Sequence, residues 1–208
     1  MARKPLVNPR KTASQERSRA TVDALIEATA RILVRDGFDK ASTNRIAEEA
    51  GVSIGSLYQY YPSKEALVAA VIERHNQQTM RVVRGALAEL ATLPVEQAVH
   101  SLVAIAIEAH RIDPRLHRVI AEQIPRVGQL ENVETFSRDN YALFRTYLEA
   151  HRDELRIVDP ELAAFVCVTS IEALTHMAVL HRPDIASDDA VATLVDEATR
   201  LIVRYLRE

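Results

Sequence analysis

From residue 20 onward the apolar positions recur at three- and four-residue steps, the spacing that gathers them on one face of an α-helix. Val22, Leu25, Ile26, Leu33 and Val34 make the first such face, and Gly37 after Asp36 offers a natural stop. Ser42 and Thr43 then present N-cap hydroxyls before a short face of Ile46, Ala47 and Ala50 that ends at Gly51. Ser53 can cap a third short helix that turns Leu57 and Tyr61 inward, Pro62 disfavours helical geometry at Tyr61, and Ser63 caps a fourth. Beyond this, proline punctuates the chain. Pro94, Asp113-Pro114 and Asp159-Pro160 each open a helix, and Ser187 with Asp188 and Asp189 opens the last. Val, Ile and Thr never alternate with polar residues over a useful length, so the pattern predicts an all-α chain of about nine helices.

Two short helices joined by Ala50-Gly51-Val52-Ser53 make a helix-turn-helix. Ile46, Ala47, Val52 and Leu57 are expected to pack them together and onto the first helix, leaving Ser56, Tyr58, Gln59 and Tyr60 outside. A merely solvated face would carry Glu and Lys. Hydroxyl, amide and aromatic groups suit phosphates and base edges instead.

Charge sharpens this reading. The chain carries -3 overall, but residues 1–20 hold six basic side chains against Glu16, so that segment is +5 and the remainder -8. Residues 1–15, with Pro5 and Pro9 and no apolar periodicity, are expected to be a flexible basic arm, the end that meets a polyanion.

Composition removes other classes. Hydrophobic residues at 48% and charged residues at 26% fit a globular chain, and 5% aromatics imply an aliphatic core. The uncharged stretches Ala98–Ile107 and Leu162–Ile171 fall short of the roughly 20 residues that span a bilayer, so no membrane span is expected. The first residues lack the apolar stretch of a secretory signal, and the single cysteine, Cys167, sits in an apolar run as an inert buried thiol would; both favour a cytoplasmic protein. No phosphate-binding glycine loop, zinc-protease motif or nucleophile with a recognisable base appears, so no catalytic residue is assigned.

The string from Ser42 to Leu67, STNRIAEEAGVSIGSLYQYYPSKEAL, closely resembles the DNA-binding domain of the tetracycline-repressor (TetR) family, and the resemblance extends over roughly residues 17 to 75. It implies that Thr43 and Lys64 touch phosphates and that Tyr58 and Tyr60 meet the backbone or thymine methyls. Ser53, Ile54, Gly55, Ser56 and Gln59 would lie on or beside the floor of the major groove, with Arg19 and Ser42 completing the set. Lys64 follows its cap at a helix N-terminus, where backbone N–H groups already favour an anion. Tyr61 and Pro62 depart from the family's usual phenylalanine and variable residue, and Tyr61 still supplies the aromatic plug.

The expected organisation is an arm at 1–15, a three-helix helix-turn-helix domain at 16–75 and a larger helical ligand-binding and dimerisation domain at 76–208. Val191, Leu194, Val195, Ala198, Leu201, Ile202 and Tyr205 form an apolar seam on the last helix, and the helix from Pro160 is apolar on more than one side. The resemblance implies that these two helices pair with their copies as a four-helix dimer interface. Polar residues set among apolar ones, His100, His117, Tyr141, Thr169, Glu172 and His176, are the pocket candidates for an unidentified small-molecule effector. Glu172 and His176 share a helix face, but no second pair of this kind accompanies them, so neither metal nor cofactor is expected. The expected partners are double-stranded DNA with a palindromic operator, a second copy of the chain, and the effector. The rival is a helical interaction or scaffold module with non-specific nucleic-acid binding, told apart by the absence of sequence-specific protection.

Overall fold

The structure is a computed structural model that describes residues 16–127, 131–181 and 187–208, so the basic arm expected at 1–15 lies outside the described residues. Among them the chain forms nine α-helices and no strand: α1 (Glu16–Asp36), α2 (Thr43–Glu49), α3 (Ile54–Tyr60), α4 (Lys64–Leu90), α5 (Val95–Arg111), α6 (Pro114–Val127), α7 (Glu131–Ala150), α8 (Pro160–His181) and α9 (Asp188–Arg207). A single 3-10 turn, Arg152–Glu154, follows α7.

The helix ends have local causes. Ser42 Oγ accepts from Arg45 N at 3.4 Å, Ser53 Oγ from Ser56 N at 3.1 Å, Ser63 Oγ from Ala66 N at 3.2 Å and Ser187 Oγ from Ala190 N at 3.3 Å. Asp159 caps α8 through Oδ1, which accepts from the N–H of Glu161 and of Leu162 at 2.9 and 3.1 Å. Each side chain thereby satisfies a donor that the first helical turn leaves unpaired. Gly37 and Gly51 have φ of +78° and +67°, the left-handed region where a Cβ is strained. At Gly51 this lets Val52 N reach back to Ala47 O at 3.0 Å and reverses the chain between α2 and α3.

The chain divides into two compact units. The first holds α1 to α3, α4 as far as Asn76, and α6; the second holds the rest of α4, with α5, α7, α8 and α9. The first unit thus takes in residues 115–130 as well as the N-terminal stretch, a departure from one cut near residue 75. The reason is packing: Leu116 and Ile120 of α6 are buried with Leu25, Ile32, Leu33, Ile46, Leu57, Leu67, Val68 and Ile72 in one aliphatic core. The second unit has its own core, in which Val99, Val103, Ile107, Leu148, Ala164, Cys167, Ile171 and Ile202 meet.

The helix α8 passes the length and composition of a membrane span, which the uninterrupted apolar runs alone do not. Ala163, Ala164, Cys167, Val168 and Ile171 turn into the protomer core, whereas Leu162, Phe165 and Met177 stay half exposed at 55, 50 and 52%. Apolar character on both sides of a helix buried on one side describes an element that packs on its own domain and has a second face to cover.

Candidate nucleic-acid interface

The helix-turn-helix is held from behind by the core and by charge. Ile46, Ala47 and Leu57 are buried at 0 to 3% exposure, and Val52 packs against them, which fixes α2 and α3 on α1. At the rim Glu49 of α2 accepts from Arg31 at 3.1 Å and Arg35 at 3.2 Å of α1, and these two hydrogen bonds, Arg31 first, hold its carboxyl below the usual carboxylate range. Arg45 of α2 meets Asp36 at 2.6 Å and donates to Lys40 O at 2.8 Å. These pairs are solvent-exposed and add little stability one by one. Their consequence is positional: they orient α2 against α1. Sequence reasoning missed this network because its partners stand 9 to 18 residues apart on separate helices.

With its back anchored, the motif presents a defined front. Ser53, Ile54, Gly55, Tyr58 and Gln59 are exposed, and Ser56 is half-buried with its hydroxyl 2.9 Å from that of Ser53. Ser42 is exposed at the start of α2, and Arg19 is exposed on α1. The hydroxyls of Thr43 and Tyr58 lie 3.0 Å apart and join the first residue of α2 to the outer face of α3. A capping serine uses its oxygen as an acceptor, and since one O–H suffices for the Ser53–Ser56 contact, that pair keeps a second O–H to donate. From Ser53 to Gln59 the exposed positions carry hydroxyl and amide groups and no carboxylate.

Two residues sit elsewhere than expected. Tyr60 is 7% exposed and belongs to the core with Tyr61, so it is not on the outer face. The signal was present in the sequence: Tyr60 is three residues from the fully buried Leu57, and i, i+3 positions share a helix face. Lys64 is half-buried; its ammonium donates to Phe38 O at 3.1 Å and Ala41 O at 3.3 Å and lies 4.1 Å from the centre of the Phe38 ring. Its charge is therefore spent on the corner between α1 and α2.

The pocket candidates are divided between the two units. In the second unit the Tyr141 hydroxyl is 3.3 Å from that of Thr169, and Asn140 Nδ2 donates to Glu172 at 3.2 Å. Burial raises the Glu172 carboxyl above its ordinary range, partly opposed by that hydrogen bond. His176 stands edge-on to His110 at 5.9 Å, and burial, then the neighbouring charges of His110 and His181, lower its pKa. His100 is separate: it lies 3.5 Å from Asp196 in an open groove of about 800 Å³ between α5 and α9. His117 belongs to the first unit, 3.2 Å from His75.

The seam on α9 also divides. Val195, Ala198 and Ile202 are buried in the protomer's own core, which removes these three from a surface role, and Val191 and Leu194 pack against that core while staying partly exposed. Leu201 and Tyr205 remain exposed at 55 and 44%. The three-four spacing is the face by which α9 packs on its own unit, and a partner can meet only the flank beside it.

Residues 25–71 match the family model described as bacterial regulatory proteins of the tetR family, and residues 94–206 match that of the tetracyclin repressor-like C-terminal domain. The nucleoid occlusion factor SlmA of Actinobacillus pleuropneumoniae is 29% identical over 116 residues, which are 56% of this chain and 55% of the relative. The chain thus spans about half the length of the curated relatives it matches. Among solved structures, a TetR-family regulator from Mesorhizobium loti superposes with a TM-score of 0.73 at 20% identity, covering 93% of this chain and 100% of that one. FadR of Bacillus subtilis, in complex with stearoyl-CoA, gives 0.68 at 17% over 87 and 97%. These two likenesses carry the fold. The matches to both family models, one of them over more than half of the chain, together with the helix-turn-helix described above, establish that this protein belongs to the TetR family of bacterial transcriptional regulators.

Proposed function

We propose that the chain is a cytoplasmic, homodimeric repressor that binds a palindromic DNA operator through α3 and releases it when a small molecule binds the second unit. The observation that carries this reading is the exposed front of α3: Ile54, Gly55, Tyr58 and Gln59 serve no core, and Gly55 leaves room for close approach of another surface. Direct readout needs a helix that fits the major groove with polar groups free to meet base edges. Gln59 is suited to adenine, and the Thr43 and Tyr58 hydroxyls are suited to the phosphates beside it. No catalytic step is needed for this function, and none is assigned.

A second copy supports the operator geometry. The half-exposed Leu162, Phe165 and Met177 of α8 and Leu201 and Tyr205 of α9 are the apolar surface such a copy would cover. The two recognition helices of a dimer must then stand about one helical turn of DNA, or a multiple of it, apart. Because α4 continues from the first unit into the second, a ligand that tilts it would alter that spacing. The polar residues Tyr141, Asn140, Thr169 and Glu172 on α7 and α8 are where such a ligand would find hydrogen bonds. FadR, which shares the fold, was solved with an acyl-CoA; an apolar effector with a polar end is the corresponding expectation here.

Selection of binding sites from random DNA, followed by footprinting, tests the reading. Protection of an inverted repeat is the expected result, and uniform, salt-sensitive binding to any sequence would replace it with the scaffold reading.

A further inference from the structure

We propose that His75 and His117 are two of the ligands of a binding site for a divalent transition-metal ion, Zn²⁺ above all, set between α4 and α6 within the first unit. His75 is 4% exposed and is the one histidine in the buried core among the described residues. Its Nε2 lies 3.2 Å from Nδ1 of His117, and the ring centres are 5.4 Å apart at a tilt of 38°. The residues flanking them in sequence, Val71, Ile72, Leu116 and Ile120, are aliphatic and buried. Burying an imidazole among such groups costs free energy that an ordinary core position does not demand.

The distance is the main argument. Zinc–nitrogen bonds of 2.0–2.1 Å in tetrahedral geometry set the two nitrogens about 3.3 Å apart. The observed separation is 3.2 Å, so an ion could take the place of the shared proton once each ring turns its lone pair off the line between the two nitrogens. The proton balance is simple. Each neutral imidazole carries one N–H; on metal binding the ring that donates between the two changes tautomer, its proton passing through solvent to its other nitrogen, and both facing nitrogens become lone-pair donors. Half-buried His117 gives the ion a route in. Two protein nitrogens, one fewer than the three that hold an open zinc site, leave the remaining positions for water or for a donor group brought by an effector.

The position gives the ion something to act on. His75 is three turns along α4 from Lys64, about 16 Å at 1.5 Å per residue, and Lys64 is fastened to the corner that starts α2. An ion that draws α6 onto α4 bears on the helix that supports the recognition motif. Only this last step rests on the proposed DNA function; the binding itself does not.

The test uses the full chain, dialysed against chelator and titrated with Zn²⁺ and Co²⁺ in the absence of DNA. The expected result is one ion per chain, the visible absorption of four-coordinate Co²⁺, and affinity weakened about tenfold or more in His75→Gln and in His117→Gln. Zn²⁺ should also shield half-buried His117 of the unaltered protein from diethylpyrocarbonate, read by mass spectrometry, a measurement that stands even if a variant fails to fold. No binding below about 100 μM, or binding unchanged by both substitutions with His117 unshielded, would overturn the site. Operator affinity measured with and without Zn²⁺ then bears on regulation alone.

Discussion

The hydroxyls of Thr43 and Tyr58 stand 3.0 Å apart, so the first residue of α2 is tied directly to the exposed face of α3. One of the two O–H groups donates across this contact and the other stays available to donate to a phosphate, and the tie sets where that phosphate must lie. Tyr58→Phe should keep the fold and weaken binding to all DNA sequences alike, by about 0.5–1.5 kcal/mol. Gel-shift titrations against specific and random duplexes check this; a loss confined to one sequence would mean that Tyr58 reads a base.

Lys64 separates two readings of one residue. With its ammonium held by Phe38 O, Ala41 O and the Phe38 ring, Lys64→Met should destabilise the protein by about 1–2 kcal/mol, seen as a lower melting temperature. The slope of log affinity against log salt should stay close to that of the parent. A slope reduced by about one would instead mark a direct phosphate contact, as the family resemblance implies.

Gln59 is exposed on α3 and has no role in the core. In a binding-site selection, Gln59→Ala should relax preference at one position in each half-site at a cost of about 1–3 kcal/mol, leaving the other positions unchanged.

The dimer face should run along the flanks of α8 and α9 that the protomer leaves open. Met177→Asp combined with Leu201→Asp places charges at two half-exposed apolar positions and should give monomers with weak operator binding. Analytical ultracentrifugation reads the outcome, and an intact dimer would move the interface elsewhere.

Alkaline pH should loosen the second unit. Burial pushes the Cys167 thiol up to about 12, and burial followed by the Glu154 charge does the same to the Tyr147 hydroxyl, which donates to Leu93 O at 2.9 Å. Both groups are folded as neutral acids with pKa values above their ordinary ones near 8.5 and 10. The stability they contribute is therefore complete below those values and falls as pH rises toward 12. Melting temperatures should be level near neutrality and decline above about pH 9, less steeply in Cys167→Ala. A thiol reagent near pH 8 should label Cys167 only after denaturation, since the thiolate is the reactive form.

What the sequence alone determined is what a few neighbouring residues can decide. The serine and aspartate caps, the turn at Gly51 and the inward run of Ile46, Ala47 and Leu57 all depend on contacts no more than a handful of positions apart, so spacing reveals them. Tertiary structure decided which side of each helix is covered. Tyr60 and Tyr58 stand two apart in a two-turn helix, and although Tyr60 shares the i, i+3 face of Leu57, it is the core beneath α3 that sends it inward and leaves Tyr58 out. On α9 the seam of Val195, Ala198 and Ile202 is visible as a pattern, yet the pattern is silent on whether its own unit or a second copy fills it. His75 and His117 are 42 residues apart, and Lys64 is 26 from Phe38. Those meetings come from the packing of α4 against distant helices, because in an aliphatic core the buried faces set the register and the polar groups must pair with whatever that register brings to them.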